Sequence, residues 1–129
     1  MDLQARRLAA DVERLADRLR RLSPARLAQS LPPYGTRADA GRLAAQLLAD
    51  AAQGIEERKG AAAPSWRTVP PLPDYTVGDQ VAVTGHDLLT ALSGLSPDVP
   101  VWTREGRQPA GEVLTEAADA LRDLKLAVG

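Results

Sequence analysis

At the start of the chain, Met1, Ala5, Leu8, Val12, Leu15, Leu19 and Leu22 recur in alternating steps of four and three residues. A repeat of this kind is the seam of an α-helix packed lengthwise against others, because positions three and four apart fall on one helical face. The intervening positions are rich in Arg and Asp. Asp17 and Arg21, four apart, and Asp11 and Arg14, three apart, add modest local support. The seam predicts a helix over 2–22, and an apolar seam that long must be covered by other elements. It is also regular enough to pair with its own copy, so a homodimer built on it is an expected assembly.

Three further segments carry helical periodicity. Over 37–59, Ala40, Leu43, Leu47, Leu48, Ala51 and Ile55 share one stripe, with Thr36 positioned as N-cap and Gly60 as the stop. The many alanines of this stripe permit close approach of a neighbour. Over 109–128 the stripe is Ala110, Val113, Leu114, Ala117, Leu121, Leu124 and Val128, with acids early and Arg122 and Lys125 late, as the helix dipole favours. A shorter helix over 24–30 opens at Ser23-Pro24 and is ended by "LPPYGT".

The stretch "VGDQVAVTGHDLL", Val77 to Leu89, is ambiguous. As a strand its alternation is broken by Gly78 and Ala82, and no partner strand stands out. As a helix over 77–95 it places Val77, Val81, Leu88, Leu92 and Leu95 on one stripe, with Thr76 as N-cap and Asp79 in a capping-box position. The helical reading prevails. Gly85 then marks a close approach of another helix rather than a turn.

Two connections remain. Ala61 to Tyr75 holds four of the ten prolines and is read as an extended strap, docked by Trp66, Val69, Leu72 and Tyr75. "SPDVPVWTREGRQ" is read as a plain connection docked by Val99, Val101 and Trp102. The expected fold is therefore all-α, a four-helix bundle with a short extra helix and a Pro-rich connecting strap, forming a single domain over 1–129.

Composition removes several chemistries. With no cysteine and one histidine, disulfides, thiolate nucleophiles and Cys-ligated metals are excluded, and the Glu-x-x-His signature of di-iron bundles is missing. Abundant Ala, Leu and Arg, with no Phe or Asn, fit a GC-rich bacterial coding bias. No apolar run reaches the ~18 residues of a membrane span, and no signal peptide is read at the start, so the expectation is a cytoplasmic protein.

His86 beside Asp87 invites a catalytic reading, but adjacent helical side chains diverge and no third group can be placed. No phosphate-cradling loop or nucleophile elbow is present, so the expectation is a non-enzymatic protein without metal or cofactor, His86 being the one residue a catalytic reading would use. Glu56, Glu57, Asp50, Glu112, Glu116 and Asp119 read as solvated helix faces.

Two sets of residues are interaction candidates. Trp66, Tyr75 and Trp102 lie in the connections and read first as sealing the ends of the bundle; the alternative is a partner surface, with a groove lined by Trp66 and Trp102 as the foremost ligand or peptide site. Arg18, Arg20 and Arg21, near Arg26, read first as dipole partners at a helix C-terminus. Their alternative is a patch for a small anionic ligand or nucleic acid, aided by Arg6, Arg7 and Arg14. At a net charge of −1, and with Asp11, Glu13 and Asp17 interleaved, nucleic acid is not the expected partner. The reading that follows is an interaction or scaffold module that self-associates.

Overall fold

The apolar seam at the start of the chain is helix α1 (Asp2–Arg21), and its Leu8, Val12, Leu15, Leu19 and Leu22 are all buried within the chain's own core. A computed structural model describes residues 1–129. The remaining elements are α2 (Pro24–Leu27), α3 (Arg37–Glu56), a 3₁₀ turn at Asp74–Thr76, α4 (Val77–Leu92), strands β1 (Pro100–Thr103) and β2 (Gly106–Pro109), and α5 (Ala110–Val128). Four main helices thus pack together, joined by a short helix and a small two-strand hairpin.

Helix directions follow from the side-chain contacts. Gln4 Nε2 donates to Thr115 Oγ1 (2.8 Å) at one end and Arg18 reaches the Gly129 carbonyl at the other, so α1 and α5 run parallel. Arg37 Nε, at the start of α3, donates to the Val128 carbonyl (3.1 Å) at the end of α5, so these two are antiparallel. Val77 packs at Gly41, which puts the starts of α3 and α4 together and makes that pair parallel. Around the bundle the order is α1, α4, α3, α5, with α1 across the diagonal from α3 and α4 across from α5.

Glycines decide how closely α1 and α4 approach. A β-carbon at Gly85 would overlap Val12, and one at Gly78 would come 2.8 Å from the Ala16 carbonyl oxygen. The two glycines, seven residues apart on α4, therefore admit α1 at two levels. Gly78, one of the two interruptions that spoil the strand pattern of "VGDQVAV", is thus a contact point between helices.

Thr36 caps α3 as its sequence suggests. Its Oγ1 accepts from the Asp39 N–H (3.1 Å), and Asp39 Oδ2 accepts from the Thr36 N–H (2.9 Å), a reciprocal capping box. These bonds, the Thr36 backbone N–H foremost, with help from Arg42, hold the Asp39 carboxyl below its ordinary pKa. Thr76 does not do the same for α4. Its hydroxyl donates to the Pro73 carbonyl (2.7 Å) inside the 3₁₀ turn, and Asp79 instead accepts from Arg20 Nε (2.8 Å).

Four further expectations need correction. The connection after α4 contains the β1–β2 hairpin, paired from Pro100↔Pro109 to Thr103↔Gly106 around the two-residue loop Arg104-Glu105. Gly106 takes φ +122°, which a residue with a β-carbon rarely adopts, and this fixes the sharp return. Second, the α3 stripe is rotated from its predicted position. Gly41, Ala44, Ala45, Leu48 and Ala52 are buried while Leu43 and Leu47 are exposed, because the smallest residues face the closely packed interior. Third, α3 ends at Glu56 rather than 59, and Arg58 folds back so that its Nη1 donates to the Ile55 carbonyl (2.9 Å). Fourth, α2 stops at Leu27 and α4 at Leu92, short of the predicted 30 and 95; after α4, Gly94 takes φ +72°.

The strap runs back along α3 from its end to its start, held by amide side chains. Gln53 Nε2 donates to the Ser65 carbonyl (2.9 Å) and its Oε1 accepts from the Arg67 N–H (3.0 Å). Two helical turns earlier, Gln46 repeats the pattern on the Arg67 carbonyl (3.0 Å) and the Val69 N–H (2.9 Å). Gln80 of α4 donates to the Pro70 carbonyl (2.8 Å), and Arg42 to the Leu72 carbonyl (2.9 Å). Gln53 and Gln46 thus each supply the donor and acceptor that an extended backbone would otherwise find in a neighbouring strand, while Gln80 supplies a donor alone.

Candidate functional site

The strap and the hairpin converge over the end of α3, and Gly54 makes this convergence fit. A β-carbon there would overlap the Trp102 carbonyl oxygen and touch the Trp66 ring. Arg107 secures the hairpin by donating to the carbonyls of Arg58 (2.9 Å) and Gly60 (2.8 Å), just past the α3 C-terminus, while its guanidinium lies 4.1 Å from the centre of the Trp102 ring. Trp102 Nε1 donates to the same Gly60 carbonyl (3.3 Å).

Between the hairpin, α3 and α5 lies a groove of about 260 Å³. Its apolar surface comes from Leu47 and Ala51 of α3, Val113 and Ala117 of α5, and the two half-buried tryptophans. One helical turn from Leu47, exposed Leu43 continues the apolar line along α3. The predicted Trp66–Trp102 groove is therefore present, and each ring both packs against the chain and offers a surface to solvent.

Charge at the rim is asymmetric. Arg104 is committed to Asp50, with Nε and Nη2 donating to its two oxygens (2.7 and 3.1 Å), and it lies 5.4 Å from the Trp66 ring centre. Hydrogen bonding to Asp50 raises the Arg104 pKa above its ordinary value. Glu105 and Glu116 also line the groove, and neither makes an ion pair. The rim therefore carries two uncompensated carboxylates.

Tyr75 does not join the tryptophans. It is 77% exposed at the 3₁₀ turn, beside a smaller pocket lined by Leu19, Arg20, Leu22 and Leu27, at the end of the bundle where α1 finishes. The three arginines grouped in sequence are also dispersed in role. Arg18 donates to the Gly129 carbonyl, Arg20 bridges Asp17 and Asp79, and Arg21 projects into solvent. Contact with Asp79, above all, raises the Arg20 pKa.

On α4, His86 and Asp87 are both exposed, and neither makes a side-chain hydrogen bond. No helix is long and apolar enough to cross a membrane. Sequence reasoning missed the three glutamines altogether. Their only signal is a polar residue repeated at a seven-residue interval, Gln46 and Gln53, on an otherwise alanine-rich helix. Comparison with protein-family models, curated proteins and solved structures gives no match to this chain.

Proposed function

We propose that the chain is a non-enzymatic interaction module that seats a basic, amphipathic helical segment of a partner protein in the Trp66–Trp102 groove. One observation carries this reading: an apolar floor with two half-exposed tryptophans meets a rim on which Glu105 and Glu116 are unpaired. Tryptophan faces supply large, rigid contact area, and rim carboxylates select a cationic partner by attraction at encounter.

Self-association remains a proposal, but it needs a surface other than the α1 seam, which is consumed by the core. The exposed Leu43 and Leu47 offer one. A two-fold contact there would face acidic rim against acidic rim, which disfavours it relative to a basic partner.

The molecule carries its own reporter, since its only two tryptophans are both in the groove. A synthetic helical peptide with leucines on one face and lysines flanking them should shift tryptophan emission saturably. The same peptide with glutamate for lysine should not, and Glu105→Lys with Glu116→Lys should abolish the response. Equal responses to both peptides, or none to either, would overturn the assignment. Sedimentation of the free chain at two concentrations tests self-association, since a mass that stays at one chain rules out the dimer over that range.

A further inference from the structure

A second groove, of about 640 Å³, lies on the other side of α5, between it and α1. Arg6, Arg7 and Arg14 line it from α1, and Arg122 and Lys125 from α5. Two carboxylates, Asp11 and Asp119, accompany these five cations, giving the lining a formal charge of +3. The whole chain is at −1, so everything outside the groove sums to −4. Positive charge is thus gathered here against the trend of the molecule.

The acids leave most of that charge available. Asp11 is only 18% exposed and one of its oxygens serves both Lys125 Nζ (2.7 Å) and Arg14 Nη1 (3.4 Å), so a single carboxylate positions two cations at the groove floor. The Arg122–Asp119 pair (2.9 Å) is more than half exposed on both sides, a kind of contact that contributes little and yields readily to a better acceptor. Arg6 and Arg7 make no ion pair. Arg7 and Arg14 are two turns apart on α1, about 10.5 Å along the axis, with Arg122 facing them from α5.

We infer that this groove binds a short linear oligophosphate. Guanidinium forks converging from two helices match tetrahedral oxyanions in series, and the volume lies within the range of small-ligand sites. No aromatic ring lines the groove, so a nucleobase finds no stacking platform. A long polyanion is disfavoured as well, because the charge outside the lining sums to −4 and offers it no further net attraction.

The test is calorimetric titration of the full chain with sodium tripolyphosphate, orthophosphate and a 20-base-pair DNA duplex as separate arms. Tripolyphosphate should bind one to one and weaken steeply between about 50 and 200 mM salt. Arg7→Gln with Arg122→Gln should weaken it about tenfold or more, while Arg21→Gln, outside the groove, should leave it unchanged. Far-ultraviolet circular dichroism confirms that each variant is folded, and Arg7→Gln alone, on an exposed position, serves if the double variant is not. Absence of tripolyphosphate binding, an equal loss in Arg21→Gln, or tighter binding of orthophosphate or duplex than of tripolyphosphate would overturn the inference.

Discussion

Helix α5 lends Val113, Glu116 and Ala117 to the groove it shares with α3, and Ala118, Arg122 and Lys125 to the groove it shares with α1. The two stripes are offset by only a residue or two in sequence, yet one side is apolar with an acidic rim and the other polar and basic. Helical geometry turns that small offset into a large angular separation, so a single helix presents two chemically distinct surfaces. Their neighbours widen the difference. On the α3 side, the hairpin and strap wedge two tryptophans into the gap; on the α1 side, Lys125 and Asp11 close the floor with charge.

The sharpest way to separate the two sides is Gly54→Val. Its side chain would overlap the Trp102 carbonyl, displacing the hairpin at a cost of about 3 kcal/mol, measured by urea denaturation. Amide exchange should quicken over 100–109 and stay unchanged on α1, and equal loss on both sides would erase the distinction.

Gln53→Leu should cost about 2 kcal/mol, since it leaves the part-buried Ser65 carbonyl and Arg67 N–H without their partner. Emission from Trp66, next to this clamp, should move toward the solvent-exposed value. On the opposite side, Lys125→Met should cost about 1 kcal/mol, because Asp11 keeps only its longer contact with Arg14. Its tryptophan emission should not change.

The smallest effect belongs to a residue that lines neither groove. Asp39 has a folded-state pKa held below the unfolded one, so its contribution is complete above the ordinary carboxylate range and is lost as pH falls through the folded value. Asp39→Asn should therefore flatten the stability profile below about pH 4 and leave tryptophan emission as it was.

Periodicity made the helices legible. The seam of α1 and the stripes of α4 and α5 depend on local spacing alone, and each packs as that spacing predicts, apart from Leu95, which lies beyond the end of α4. Leu43 and Leu47 misled because hydrophobicity ranks leucine above alanine for burial, whereas the tight contacts of α3 select the smaller residue. The hairpin was hidden for another reason. Its strands are four residues each, bounded by Pro100 and Pro109, too short for an alternating pattern to emerge. The tryptophan groove was partly legible, since Trp66 and Trp102 are apolar residues in connections that had to dock. The basic groove was legible only on its α1 side: Arg6, Arg7 and Arg14 stood out as aids to an anion patch centred on Arg18, Arg20 and Arg21, whereas Arg122 and Lys125 join them only because α5 lies beside α1.

The direction of the helices also bears on how the chain reaches this state. α1 and α3 are successive main helices but sit across the diagonal, as do α4 and α5, while α3 and α4 touch only after the strap has run the length of α3. No pair of helices joined by a short turn packs as a local hairpin. Contact order is accordingly raised above that of an up-and-down bundle of equal length, and loop closure must precede the stabilising contacts. Slower, more cooperative folding is the expected result, with neither half of the chain retaining structure when expressed alone.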